Sequence, residues 1–138
     1  MTVYAYTDGA ARGNPGESGI GLLLKDGHGK IIFEGSGYIG KATNNVAEYT
    51  ALLTCIKKVR QLSCKRLIVY SDSELMVKQL RGEYRVKDKG LQTYFLQIKE
   101  LLKQSPFSFE INHIEREKNR QADQLANIGI DTKQTLNV

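Results

Sequence analysis

The chain has 138 residues, 41% hydrophobic and 25% charged, with 20 Lys and Arg against 15 Asp and Glu for a formal net charge of +5. That length suits one domain with an ordinary buried core, and no apolar stretch approaches the roughly 20 residues that span a bilayer. The basic surplus fits a polyanionic partner, since Lys and Arg neutralise phosphates, and it fits a generic soluble surface equally well.

Residues 2–8 read as a strand with Val3, Ala5 and Thr7 on one face and Tyr4 and Tyr6 on the other, delivering Asp8 into a loop with Gly9, Gly13, Asn14, Pro15 and Gly16. Residues 18–38 read as a hairpin, because two apolar runs flank Asp26-Gly27-His28-Gly29, turn chemistry that supplies positive φ. A helix is expected over 44–62. Cys55 within it and Cys64 near its end lack metal-type spacing and read as reduced thiols. The start MTVYAYTDG has neither the basic residues nor the apolar run of a secretory signal. A cytoplasmic protein with no membrane association is therefore expected.

RLIVYS, 66–71, is short and almost wholly apolar, as in a strand covered on both faces. A short helix over 73–81 leads into the loop RGEYRVKDKG, 81–90. A third helix over 88–103 has Leu91, Tyr94, Phe95, Ile98, Leu101 and Leu102 at helical spacing, with Pro106 at its exit. FSFEINHI, 107–114, alternates as a strand, and a last helix spans 120–130 with Asn119 as its expected N-cap. The remainder, 131–138, has no pattern and reads as a flexible tail. Strands followed by alternating helices and strands indicate an α/β sandwich around a mixed sheet.

Four acids stand out, each with an ordinary structural explanation. Asp8 ends a strand and can organise a turn with Gly9. Asp72 ends another strand, and it or Ser73 can cap the following helix. Glu48 lies one turn before Leu52 on the apolar stripe Leu52, Cys55, Ile56 and Val59, where a hydrophobe belongs. Its alternative role is in a capping box with Asn45 as the cap. Asp123 sits in the first turn of the last helix and complements its dipole. The other acids, among them Asp26, Glu34, Glu83, Asp88 and Asp131, read as solvated surface.

The joint pattern carries more weight. Two carboxylates at strand ends and two near helix N-termini can converge at one edge of a sheet, where their mutual repulsion calls for hard divalent cations with oxygen ligands. No Cys/His set is present, so magnesium or manganese is favoured over zinc. Two such ions can activate a water and stabilise the leaving oxygen of a phosphodiester.

The segments YTDGAARGNPG (6–16), TNNVAEYTAL (43–52), VYSDSELMVKQL (69–80) and REKNRQADQLA (116–126), in this order and spacing, resemble the type 1 ribonuclease H family in its form without a long basic protrusion. The resemblance implies a three-layer fold over residues 1–130, a mixed five-stranded sheet with helices on both faces. It also implies hydrolysis of the RNA strand of RNA/DNA hybrids with two magnesium ions, manganese being accepted, to leave 3′-hydroxyl and 5′-phosphate ends. The four carboxylates carried over by motif are Asp8, Glu48, Asp72 and Asp123. Asp8 bridges both ions, Glu48 and Asp72 mainly serve the one on the nucleophile side, and Asp123 serves the other.

The resemblance extends to substrate contacts. Asn14 and Asn45 take the minor groove of the hybrid, Asn44 lies near the DNA strand, and Thr43 with Lys41 holds a DNA phosphate. Backbone near Gly9 and side chains near Glu48 meet RNA 2′-hydroxyls, the groups that distinguish RNA from DNA. One of Asn44 and Asn45 is expected to cap the helix as well. Ser73 and Glu74 follow the third acid, with Glu74 standing where many members have glutamine. Tyr84 and Arg85 belong to the short basic and aromatic loop that replaces the protrusion and is a candidate grip on the DNA backbone. For product release the candidates are His113 and Arg116, with Arg116 preferred because its spacing to Asp123 fits a subgroup in which arginine replaces histidine. Alternatives to hybrid cleavage are a nucleic-acid-binding module that does not cut, and a related nuclease that also acts on double-stranded RNA. No helix shows a spare apolar face, so a monomer is expected.

Overall fold

In the computed structural model, which describes all 138 residues, the first third of the chain is an antiparallel meander: β1 (Thr2–Gly13), β2 (Gly16–Lys25) and β3 (Ile31–Ala42). β4 (Arg66–Ser71) and β5 (Ser108–His113) then add in parallel on the other side of β1, which gives the order β3-β2-β1-β4-β5. The helices are α1 (Asn44–Val59), α2 (Glu74–Leu80), α3 (Lys89–Lys103) and α4 (Arg120–Thr132), with one 3-10 turn at Arg116–Lys118. The expected mixed five-stranded sheet is the one observed.

β1 is longer than its apolar alternation indicates. It does not stop at Asp8 but runs on to Gly13, because a tight turn at Asn14-Pro15 lets it pair with β2 as far as Gly13 opposite Gly16. Its pairing with β4 ends earlier, at Tyr6 opposite Tyr70. Asp8 therefore sits within a strand, just where one side of that strand becomes free. Asp72 follows the last residue of β4 at the same divergence. In open α/β sheets such divergences are where ligands bind.

One face of the sheet offers Val3, Ala5, Leu22, Leu24, Leu67 and Val69 to Leu52, Ile56 and Val59 of α1 and to Leu91 and Ile98 of α3. Fully burying such a side chain contributes about 1.5–3 kcal/mol, so this layer is the main source of stability. The other face is covered by α4 through small residues rather than large ones. A Cβ on Gly21 would lie 2.1 Å from the Ala122 carbonyl oxygen, and one on Gly129 would lie 2.3 Å from that of Gly37. Backbone rests on backbone there.

Other boundaries shift for local reasons. α1 ends at Val59 rather than 62. Asp88 is not merely solvated, since its carboxylate accepts from the Leu91 N–H at 3.1 Å and caps α3. Asp26 likewise accepts from the N–H groups of His28 and Lys30 and shapes the β2–β3 turn. Asn119 precedes α4 but makes no side-chain cap; it is buried and donates instead to the Thr7 carbonyl at 2.9 Å. α4 runs two residues past the expected 130, and beyond it the Gln134 carbonyl accepts from the Tyr38 N–H while Leu136 packs on the core. Both cysteines are free and buried, and no helix is long and apolar enough to cross a membrane.

Candidate active site at the carboxylate cluster

Two of the acids, Glu48 and Asp72, are free for the site because a neighbour takes over their structural alternative. α1 is capped by Thr43, whose hydroxyl accepts from the Val46 N–H at 3.2 Å, so neither Asn44 nor Asn45 caps and no capping box forms. Glu48 is left to point over the sheet, where its Oε1 accepts from the Gly9 N–H at 2.8 Å. That contact requires glycine, since a Cβ on residue 9 would lie 2.2 Å from the Ala47 carbonyl carbon. α2 is capped by Ser73, whose hydroxyl accepts from the Met76 N–H at 3.3 Å, so Asp72 is released from that role. Asp123 is brought in by the close seating of α4, because Ala122 rests on Gly21, the register partner of Asp8.

The result is a cluster in which Asp8, Glu48 and Asp72 each offer a carboxylate oxygen, all within 4.8 Å of one another. Asp123 stands outside that group of three but lines the same cavity of about 370 Å³, together with Asn44, Arg116 and Asn127. Burial pushes the Asp8 carboxyl far above the ordinary carboxylate range, and the charges of Glu48, Asp72 and Asp123 push it further. Glu48 is raised by the same two causes, burial first and then Asp72, with the Gly9 N–H and the Arg116 charge offsetting part of the effect.

The ion pairs of the molecule are Arg12–Asp131, Arg66–Glu110, Lys78–Glu74 and Lys133–Glu17. None includes a cluster acid. Crowded carboxylates, two of them buried and none ion-paired, are the arrangement that a hard divalent cation relieves, and the cluster can hold one.

The other expected residues divide. Arg116 lines the cavity. His113, exposed at the end of β5, does not, and its charge acts instead on Glu74, which is already ion-paired to Lys78 at 2.9 Å. Asn14 joins the β1–β2 turn to α1, its Oδ1 accepting from the Asn44 N–H at 3.0 Å. Lys41, Thr43 and Asn45 are exposed beside it at the end of β3 and the start of α1. Tyr84 and Arg85 lie in the α2–α3 connection, away from the cavity lining; Lys78 lies over the Tyr84 ring at 4.9 Å, and the Arg85 carbonyl accepts from Gln79. Of the polar side chains on the cavity, one went unread in the sequence, Asn127. Its position four residues after Asp123 puts it on the same helix face and is the signal that could have found it.

The model of the family described as reverse transcriptase-like matches residues 6–129. A ribonuclease HI of Halobacterium salinarum is 40% identical over 130 residues, which cover 94% of this chain and 64% of that protein. The chain thus spans less than two thirds of that relative, and 36% of the next relatives it matches, which are mycobacterial. The crystal structure of RNase H1 from the same halophile superposes with a TM-score of 0.91 at 39% identity, covering 96% of this chain and 99% of that one. The structure of LC11-RNase H1 in complex with an RNA/DNA hybrid superposes with a TM-score of 0.90 at 41% identity, covering 94% and 97%.

Proposed function

The chain belongs to the type 1 ribonuclease H family, and from that premise we propose that it hydrolyses the RNA strand of RNA/DNA hybrids, leaving 3′-hydroxyl and 5′-phosphate ends. The observation that carries this reading is the convergence of Asp8, Glu48 and Asp72 within 4.8 Å, with Asp123 on the same cavity and no basic side chain paired to any of them. Asp8, Glu48 and Asp72 would hold one divalent ion, and Asp123 with Asp8 would serve a second. Magnesium is the preferred ion, with manganese accepted, because every donor is a carboxylate oxygen. Bound in this way, two ions supply Lewis-acid activation of water and stabilisation of the leaving oxygen.

The chain's own groups supply orientation. The Gly9 N–H fixes one Glu48 oxygen and leaves the other for ligand or substrate. Choice of the RNA strand rests on 2′-hydroxyls meeting the Gly9 backbone and the Glu48 edge of the cavity. Asn14 and Asn45 serve the minor groove, Asn44 the DNA side, and Lys41 with Thr43 a DNA phosphate. The hydrogen bond that locks the Asn14 turn to α1 supports treating these residues as one rigid surface. Ser73 and Glu74 flank the RNA side, while Tyr84 and Arg85 meet the DNA backbone further out. Arg116 aids product departure, a role its place on the cavity favours over His113. The enzyme acts as a monomer in the cytoplasm.

The test is cleavage of an end-labelled hybrid in magnesium, with DNA duplex, RNA duplex and Asp72→Asn as controls. Metal-dependent cutting of the RNA strand that falls by at least about 100-fold in Asp72→Asn is expected. Tight hybrid binding without cutting in either metal would replace this reading with a binding module. Equal cutting of the RNA duplex would widen the substrate class.

A further inference from the structure

Asp123 has a side-chain partner that the other three carboxylates lack. The amide nitrogen of Asn127 donates to Asp123 Oδ1 at 3.3 Å and to the Asp123 carbonyl at 3.0 Å. A primary amide can present either end, and here a third residue decides which. Arg12 donates from Nη2 to Asn127 Oδ1 at 3.2 Å and from Nη1 to Asp131 at 2.8 Å. A guanidinium carries only donors. The Asn127 oxygen is therefore held toward Arg12, and its NH2 toward Asp123.

Stability does not account for this chain of contacts. The Arg12 and Asp131 side chains are 47% and 63% exposed, a class of ion pair that contributes little to folding. Arg12 also stands at a particular place, opposite Glu17 at the far end of β1 and two residues before Asn14, whose turn is bonded to the first residue of α1. Two side chains in series, Arg12 and Asn127, thus connect the end of β1 at the β1–β2 turn to the fourth carboxylate.

We propose that Arg12 and Asn127 are positioning residues, which orient the Asp123 carboxylate for a divalent cation and link that orientation to the turn at the edge of the substrate surface. The link to substrate rests on the function proposed above; the orientation of Asp123 does not. Groups that orient metal ligands from behind commonly change affinity or activity by about 10- to 100-fold.

Calorimetric titration of the metal-free protein with manganese reads the first half without substrate. Hybrid cleavage reads kcat and KM for the same proteins: wild type, Arg12→Ala, Arg12→Lys, Asn127→Ala and the double alanine variant. Each single alanine variant is expected to lose about 10-fold in manganese affinity and in kcat, with KM changing by less than about 2-fold. The double variant should be no worse than Asn127→Ala, because the two residues act in series. Arg12→Lys, which also only donates, should recover part of the loss. A lowered melting temperature with unchanged manganese affinity would reduce the network to a fastening of α4 and overturn the proposal. A raised KM with kcat and manganese affinity intact would make Arg12 a phosphate contact and overturn it too. If the wild type bound manganese but cut no hybrid, the proposed function would fall, and the titration alone would still decide the positioning role.

Discussion

Arg116 and His113 are three residues apart in sequence, yet the fold gives them different neighbours. β5 ends at His113 and leaves it exposed beside Glu74, while the 3-10 turn that follows carries Arg116 to the wall of the carboxylate cavity, where its charge acts on Glu48. At saturating hybrid, Arg116→Ala is expected to lower steady-state turnover by about 10-fold and His113→Ala to change it by less than about 2-fold. A pre-steady-state burst that survives in Arg116→Ala would place the loss in product release. Equal, small effects for both variants would remove Arg116 from the site. The sequence reached Glu48 because a carboxylate on an apolar helical stripe is anomalous without any neighbour being known. It could not reach Arg12, whose partner Asn127 is 115 residues away and whose own surroundings, a glycine-rich turn, give no local sign of it.

Caps and close approaches decide how the elements deliver these residues. The periodicity of α1 was readable and its cap was not, since Thr43, Asn44 and Asn45 are all capable N-caps and only the backbone selects Thr43. The length of β1 was hidden for a similar reason. Past Asp8 the strand is held by register with β2 through small residues, and small residues give no alternation to read. The contact of β1 with α1 is equally tertiary. Gly9 looks like a turn glycine, but it is a strand residue lying against Ala47 and Glu48. In Gly9→Ala, β1 and α1 must separate or bend, and the Gly9 N–H to Glu48 bond goes with them. A destabilisation of about 1–3 kcal/mol is expected from the steric conflict, read as a lowered urea midpoint at unchanged m-value. Activity should fall by more than that stability loss explains, because Glu48 loses its orienting donor. A Gly9→Ala protein as active and as stable as wild type would mean that the helix yields easily and that its seating is not what sets Glu48.

For the whole molecule, the carboxylate cluster couples pH to stability, and a cation bound there would be coupled to both. In the unfolded chain Asp8 and Glu48 titrate near pH 4, whereas in the metal-free native protein burial and mutual repulsion raise both. Above pH 4 the native state thus holds protons that the unfolded state has released. Their contribution to stability is full below the unfolded values and is lost as pH rises through the elevated native ones. The acids shifted the other way, Glu17, Asp26, Glu74, Glu110 and Glu117, are exposed; what they contribute is lost only as pH falls through their lowered values. The two sets therefore act in separate pH ranges, and between pH 5 and 8 the buried pair sets the slope. The metal-free protein is expected to melt at a lower temperature at pH 8 than at pH 5. Asp8→Asn is neutral in both states, so it removes the cost of keeping a proton on Asp8 in the native state and should stabilise the metal-free protein at pH 8 by about 1–3 kcal/mol, or about 3–10 °C in melting temperature. Magnesium should act in the same direction, adding about 2.7 kcal/mol at 100 times its dissociation constant, with a larger effect at pH 8 than at pH 5 because it displaces those protons. Melting scans of wild type and Asp8→Asn at both pH values, with and without magnesium, test all of these expectations together. A wild type whose melting temperature is flat between the two pH values and indifferent to magnesium would show that the carboxylates neither repel nor gather a cation. Asp8, Glu48, Asp72 and Asp123 would then lose their common role.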